Sequence, residues 1–258
     1  MKQHRRFVEP RRWGSFLTAA GLLAMWEWLG GQFGSNEIVP RLSAIGRQVA
    51  ADGWGFYSGN LRSTMQAAAV GFVLGNLSAI GLATFFIQFP RTEKVLMRLA
   101  VMTYAIPIVA VGPLLQVVLS GDMPKIALAT FTVFFTTLVG CLLGLRSADP
   151  LAIDLIRSLG GGRAQQLRLV RFRYALPSLF GALQIAAPLA VLGAVVAEYF
   201  GSRSGIGVAM VSAQETLQIE RTWALAGLIT VTSLTLYGVV GGSARWLLPR
   251  ASGTELRR

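Results

Sequence analysis

Residues 65–89 run for twenty-five positions without one charged side chain. At about 1.5 Å of rise per residue, roughly twenty apolar residues cross the hydrocarbon layer of a bilayer as a helix. Five further runs have the same character: 14–33, interrupted by Glu27, then 99–121, 126–145, 174–197 and 222–244. In lipid every backbone amide must find its partner within the segment or in a closed barrel, and apolar runs this long read as helices. The charged fraction of 14% is well below the quarter or so usual in soluble domains. An all-α integral membrane protein with about six transmembrane helices is the expectation.

The polar segments between the runs set the orientation. With the amino end inside, the cytoplasmic segments are 1–13, 90–98, 146–173 and the stretch after 244. They hold eighteen of the twenty-four lysines and arginines. Lys and Arg are retained on the cytoplasmic side, whereas acids follow no such bias. The division expected is a basic amino terminus (1–13), a first span (14–33), an outer segment (34–64), a core that holds the remaining spans (65–248) and a tail (249–258), with both termini cytoplasmic. Topology, with some attraction to anionic lipid, accounts for the net charge of +12, and no nucleic-acid partner is needed. Within 34–64, Leu42, Ile45 and Val49 recur at helical spacing and suggest a short surface helix.

Little in the sequence supports chemistry. Cys141 is the single cysteine and lies in an apolar run; His4 is the single histidine. A phosphate-binding loop needs Gly-Lys-[Ser/Thr], but the three lysines, Lys2, Lys94 and Lys125, follow Met, Glu and Pro. The chain is not expected to be an enzyme or to bind a cofactor of its own.

The polar stretch richest in arginine is 146–177, RSADPLAIDLIRSLGGGRAQQLRLVRFRYALP, with six arginines against Asp149 and Asp154. Pro150 can open a helix there, and Gly160, Gly161 and Gly162 break it where a positive φ costs little. A second short helix, 163 to roughly 171, places Leu167 and Val170 on one face. The segment reads as helix, glycine turn, amphipathic helix, facing the cytosol as a docking element; the plainer alternative is a flexible surface loop.

Here the sequence resembles a known family. Asp154-Leu-Ile-Arg-Ser-Leu-Gly160 followed by Ala175-Leu-Pro177 is similar to the EAA loop of ABC-importer permeases. Arg157-Ser-Leu-Gly-Gly-Gly-Arg163 with Leu167 is closer still to the sulfonate/nitrate/taurine-type branch. Asp154 stands in place of Glu, Leu155 and Ile156 in place of the alanines, and Arg173 in place of the first proline. The resemblance implies a type I importer permease fold with a cytoplasmic coupling helix, in the bacterial plasma membrane. It implies three kinds of partner: an ATPase subunit that uses ATP on a separate chain, a substrate-binding protein, and a second permease copy, usually identical. It also implies ATPase-coupling roles for Asp154, Arg157, Ser158, Leu159, Gly160, Gly161, Gly162, Arg163, Gln166 and Leu167. The expected function is ATP-driven import of a small solute, nitrate-, sulfonate- or taurine-like or related.

Pro107 and Pro113 break the third run, which is tolerated where protein or a water-filled cavity receives the freed backbone groups. Ala105-Ile-Pro107 and Gly112-Pro-Leu-Leu115 are similar to a family stretch at the translocation path. The resemblance implies that role for the two prolines, a purely structural break being the alternative. The stretch from Glu198 through Gly205 and Gly207 is similar to a family segment. It is expected to form a gate or anchor at the outer mouth, with Arg203 as the candidate partner of Glu198; an interfacial carboxylate that merely ends a helix is the rival reading. The alternative function is an ion-coupled secondary transporter working without an ATPase. Glu27 is the ionisable residue it would use.

Overall fold

A computed structural model describes residues 11–32, 39–104 and 106–251. The expectations placed on residues 1–10, 33–38 and 252–258, which include most of the amino terminus and the tail, lie outside the described residues. The described residues form eleven α-helices and no strand. In order these are α1 (Arg11–Gln32), α2 (Leu42–Asp52), α3 (Trp54–Gln88), α4 (Pro90–Tyr104), α5 (Ile108–Val118), α6 (Met123–Arg146), α7 (Pro150–Ser158), α8 (Arg163–Gln166), α9 (Phe172–Tyr199), α10 (Ile206–Glu215) and α11 (Ile219–Ala251). A π-helical turn, Leu167–Arg171, joins α8 to α9.

Four helical stretches among the described residues are long and apolar enough to cross a membrane: Trp54–Gln88, Met123–Arg146, Arg163–Tyr199 and Ile219–Leu247. The all-helical expectation holds, and four of the anticipated spans are of this kind. The run 99–121 is instead divided between α4, which ends at Tyr104, and α5, which begins at Ile108 just after Pro107. Proline lacks the donor that would continue the helix, and the residue before it is pushed out of the helical region.

Two boundaries depart from the sequence reading. Only a short surface helix is expected within 34–64, but α3 already begins there, at Trp54. Its first three turns bury Tyr57 and Thr64, and Tyr57 joins Ile206, Ala224 and Leu225 in a small core at that end. Tertiary packing there overrides a polar local composition. The second departure is the short helix expected over 163–171. It is the inner end of a continuous rod, Arg163–Tyr199, that includes the π turn and α9.

The centre of the bundle is α3, α6 and α9. Small residues let their backbones approach: a methyl group on Gly193 would lie 2.7 Å from Ala129 Cα, and one on Gly71 would overlap Ala129 Cβ. Ala67, Ala68, Val133, Ala186, Ala190 and Ala194 complete this seam. In lipid, such packing replaces the hydrophobic drive available in water. Thr137 donates a 2.6 Å bond to Asn76 Oδ1 across the α3–α6 contact, both residues being buried.

The amphipathic helix anticipated at Leu42, Ile45 and Val49 is α2. It lies between α1 and α11. Ser43, in its first turn, donates from both N (3.1 Å) and Oγ (2.7 Å) to the Glu27 carboxylate, while Trp26 Nε1 donates to Pro40 O at 3.1 Å. At its other end Asp52 accepts from Tyr57 at 2.7 Å and from Arg221 Nε at 2.9 Å. Glu27 thus serves the amino end of a surface helix, where a negative charge is favourable.

Candidate functional site

The arginine-rich end of the bundle carries the segment singled out in the sequence. Asp149 caps α7 through a 2.9 Å bond from Leu151 N to its carboxylate, and Pro150 occupies the first helical turn. This is the usual chemistry of a helix start. The helix ends in a doubly bonded cap: Gly161 N donates to Ile156 O (2.8 Å) and Gly160 N to Arg157 O (3.0 Å). Gly160 has φ +79°, the left-handed residue this cap needs. A methyl group on Gly161 would lie 2.7 Å from Ile156 O. Two glutamines hold the turn from the other side: Gly162 N donates to Gln165 Oε1 (3.0 Å) and Gln166 Nε2 to Gly161 O (3.3 Å). The glycine run is therefore a fixed elbow rather than a loose loop.

What α7 presents outward is an apolar ridge. Leu151, Leu155 and Leu159, four residues apart, are 78%, 60% and 77% exposed. Away from that ridge, Arg157 Nη1 donates to Asp154 Oδ1 at 3.0 Å, both side chains being exposed. Exposed leucines aligned this way form an apolar surface of the kind that a partner or lipid covers. The anticipated coupling residues divide in two. Asp154, Arg157, Ser158, Leu159, Gly160 and Gly162 are exposed, whereas Gln166 and Leu167 are buried. Arg163 is exposed but turned back, its Nη1 donating to Gln88 O at 3.1 Å.

The residues anticipated for the path fall in separate places. Pro107 borders a cavity of about 330 Å³ lined also by Ile106, Ile108, Phe131, Thr132, Leu189 and Leu192. Its wall is apolar except for Thr132. That hydroxyl lies 2.8 Å from Ala129 O and 3.0 Å from Leu189 O, so its hydrogen-bonding is directed into the helices. Pro113 is inside α5, exposed and away from this cavity.

At the opposite end from α7, Glu198 is 1% exposed and Lys125 is 0% exposed. Glu198 accepts from Thr64 Oγ1 (2.9 Å) and Gly207 N (2.8 Å), and its carboxylate is 4.0 Å from Lys125 Nζ. Lys125 also reaches Asp122 (2.6 Å), Ser63 Oγ (3.0 Å) and Ser204 O (3.3 Å). Thr64 in turn accepts from Ile206 N at 2.9 Å. The carboxylate thus sits at the amino end of α10 and joins it to α3, α6 and α9. Gly205, φ +129°, lies directly against Glu198, where any side chain would overlap the carboxylate. The partner anticipated from sequence was Arg203; it is exposed, and Lys125 takes its place. Nothing in the local pattern marks Lys125, which is distant in sequence. Gln116 ties α5 to the same region through Ala197 O (2.9 Å) and Ser202 Oγ (3.2 Å), and Phe200 packs onto Gly112.

Comparison with known proteins places this architecture. Residues 71–253 match the family described as "Binding-protein-dependent transport system inner membrane component". The chain belongs to that family. The permease is 30% identical over 236 residues to a "Probable ABC transporter permease protein" of Haemophilus influenzae, covering 89% of this chain and 92% of that one. It is also 30% identical to the "Riboflavin transport system permease protein RibX" of Chloroflexus aurantiacus, over 72% of this chain and 70% of that one. Identity is 29% with the "Putative aliphatic sulfonates transport permease protein SsuC" of Bacillus subtilis, over 87% of this chain and 80% of that one. Among solved structures, the fold is similar to a chain of the MetNI methionine ABC transporter in inward-facing conformations. The TM-score is 0.58 and the identity 18%, covering 76% of this chain and 94% of that one. The permease is thus a multi-pass inner-membrane subunit of a binding-protein-dependent ABC importer. It is not itself an ATPase and binds no cofactor, and the family implies ATPase and binding-protein partners.

Proposed function

We propose that two copies of this permease cross the membrane six times each and form the path for a small solute delivered by a binding protein. The four long apolar helices, α1, and the broken α4–α5 unit supply the six crossings. The observation that carries the coupling reading is the ridge of Leu151, Leu155 and Leu159, held outward by the fixed glycine elbow. Such a ridge suits a hydrophobic groove on a partner, read at i, i+4 and i+8. The ATPase subunit is the partner proposed, with Asp154, Arg157, Ser158 and Leu159 at the contact, Gly160, Gly161 and Gly162 shaping the elbow, and Gln166 and Leu167 supporting it from behind. Closure of the ATPases would move α7 and alternate the path between its two openings.

The path is proposed along the break at Pro107, with the Glu198–Gly205–Gly207 region as its outer anchor. The cargo proposed is a small organic solute of the kind named for relatives, from aliphatic sulfonates to riboflavin. The ion-coupled alternative needed Glu27, and that carboxylate is engaged at the amino end of α2.

The test is a pull-down from the native membrane. Unsubstituted permease is expected to retain an ATPase subunit in mild detergent. Leu155→Asp and Gly160→Pro are expected to lose it while still inserting. An ATPase retained equally by both variants would remove the ridge as the docking surface.

A further inference from the structure

Two arginines next to the elbow do not point toward any partner. Arg163 donates to Gln88 O (3.1 Å), the last residue of α3, and Arg171 donates to Leu145 O (3.0 Å), the penultimate residue of α6. Both carbonyls are among the last four of their helices, which have no partner within the helix. A cation there also meets the negative end of the helix dipole. Arg171 closes the π-helical turn, Leu167–Arg171, that joins α8 to α9. Arg146, the last residue of α6, forms an ion pair with Glu93 of α4. The inner ends of three spanning segments are thereby tied to one another and to the elbow. π turns inside α-helices recur at functional sites, and this one sets the phase at which Arg171 leaves the rod.

From this arrangement we infer that Arg171 and Arg163 are positioning residues that carry movement of α7 into α6 and α3. α7 is joined to the rod 163–199 by an elbow with hydrogen bonds on both sides, so displacement of α7 moves the inner end of the rod. The rod packs on α6 and α3 through close small-residue seams, and packed helices can shear past one another. A guanidinium bonded to a helix-terminal carbonyl opposes that sliding at the inner end, and the helices then move as one body. Without it, the rod would move while α6, which lines the cavity at Pro107 through Phe131 and Thr132, lagged behind. This inference rests on the proposed docking of α7.

The experiment uses the permease purified with its ATPase subunit and returned to liposomes. Ile108→Cys, in the cavity wall, reports the path through its rate of reaction with a membrane-impermeant maleimide, without nucleotide and with ATP plus vanadate. Cys141 is buried and stays in place. In Arg171→Met, ATP hydrolysis is expected to stay within about twofold. The nucleotide-driven change in labelling is expected to fall about tenfold, within the range a single coupling residue can carry. Arg171→Lys keeps a cationic donor and should regain most of the response, which a general packing defect would not. Should Arg171→Met fail to insert, Arg163→Met decides. Its side chain is exposed, Gln88 O can turn to water, and the response should be lost and then regained in Arg163→Lys. An unchanged labelling response in a methionine variant that retains the ATPase overturns this inference alone. Absence of any ATPase from the unsubstituted preparation overturns the docking reading and this inference with it.

Discussion

Glu198 and Lys125 face each other across 4.0 Å with both side chains wholly buried. Burying two charges is expensive, and what makes the pair tolerable is that each has further polar partners. Glu198→Ala would leave Gly207 N without its acceptor and Lys125 without one of its two carboxylates. A loss of about 3 kcal/mol or more is expected from breaking a buried pair, read as a lower midpoint for heat-induced aggregation in detergent. Glu198→Gln keeps an acceptor for Gly207 N and a group for Thr64, so its loss should be clearly smaller. Equal losses would mean that the charge, not the hydrogen bonding, holds α10 in place. Gly205→Ala gives a second test, because the added methyl meets the Glu198 carboxylate at a φ of +129°. It should destabilise, whereas Gly181→Ala, inside α9 with nothing near the new methyl, should be neutral or stabilising by up to about 1 kcal/mol.

At the scale of elements, α2 depends on a carboxylate at each end, and Asp52 is the one that titrates informatively. The hydrogen bond from Arg221 holds its carboxyl below the usual range against the opposing effect of burial, with Tyr57 and Gln48 adding to the depression. A depressed carboxylate contributes stability above its ordinary pKa of about 3.9 and loses it as pH falls through the lower, folded value. Hydrogen-exchange protection over Leu42–Asp52, taken relative to the intrinsic exchange rate at each pH, should therefore fall as pH drops below about 4. Asp52→Asn should remove the part of that loss carried by Asp52, leaving the part due to Glu27 at the other end of α2. The existence of α2 was legible in the sequence from Leu42, Ile45 and Val49, as were the spans ending near Leu145 and Ala197, because both rest on periodicity or length. The start of α3 was not legible. Trp54 to Thr64 is polar, and what makes it helical is the burial of Tyr57 and Thr64 against α10 and α11. The π turn also left no local signal, since its consequence is a bond from Arg171 to a distant carbonyl. The elbow was legible as glycines and illegible as a fixed cap, because Gln165 and Gln166 lock it only once α8 has formed.

For the whole molecule the strongest sequence argument was the distribution of arginine and lysine, and it makes a prediction that the fold alone does not. The bundle has a basic end with α7 and an opposite end with α10, but a bundle has no intrinsic inside or outside. Charge retention supplies it: the segment from Arg146 to Arg173 should be cytoplasmic and the turn between α10 and α11 external. Leu155 on α7 and Leu217 on that turn are both well exposed, at 60% and 81%, while Cys141 is at 0%. An impermeant maleimide added to intact cells should label Leu217→Cys and leave the unsubstituted protein unlabelled. Leu155→Cys should react only after permeabilisation. The reverse pattern would invert the molecule and leave α7 facing away from any cytoplasmic ATPase. Labelling of both from outside would mean that α9 does not cross. The continuous 37-residue stretch from Arg163 to Tyr199, about 55 Å long as a helix, argues against that: it exceeds the bilayer's hydrocarbon thickness of about 30 Å, so its arginine-rich first turns and its Glu198 end should emerge on opposite faces.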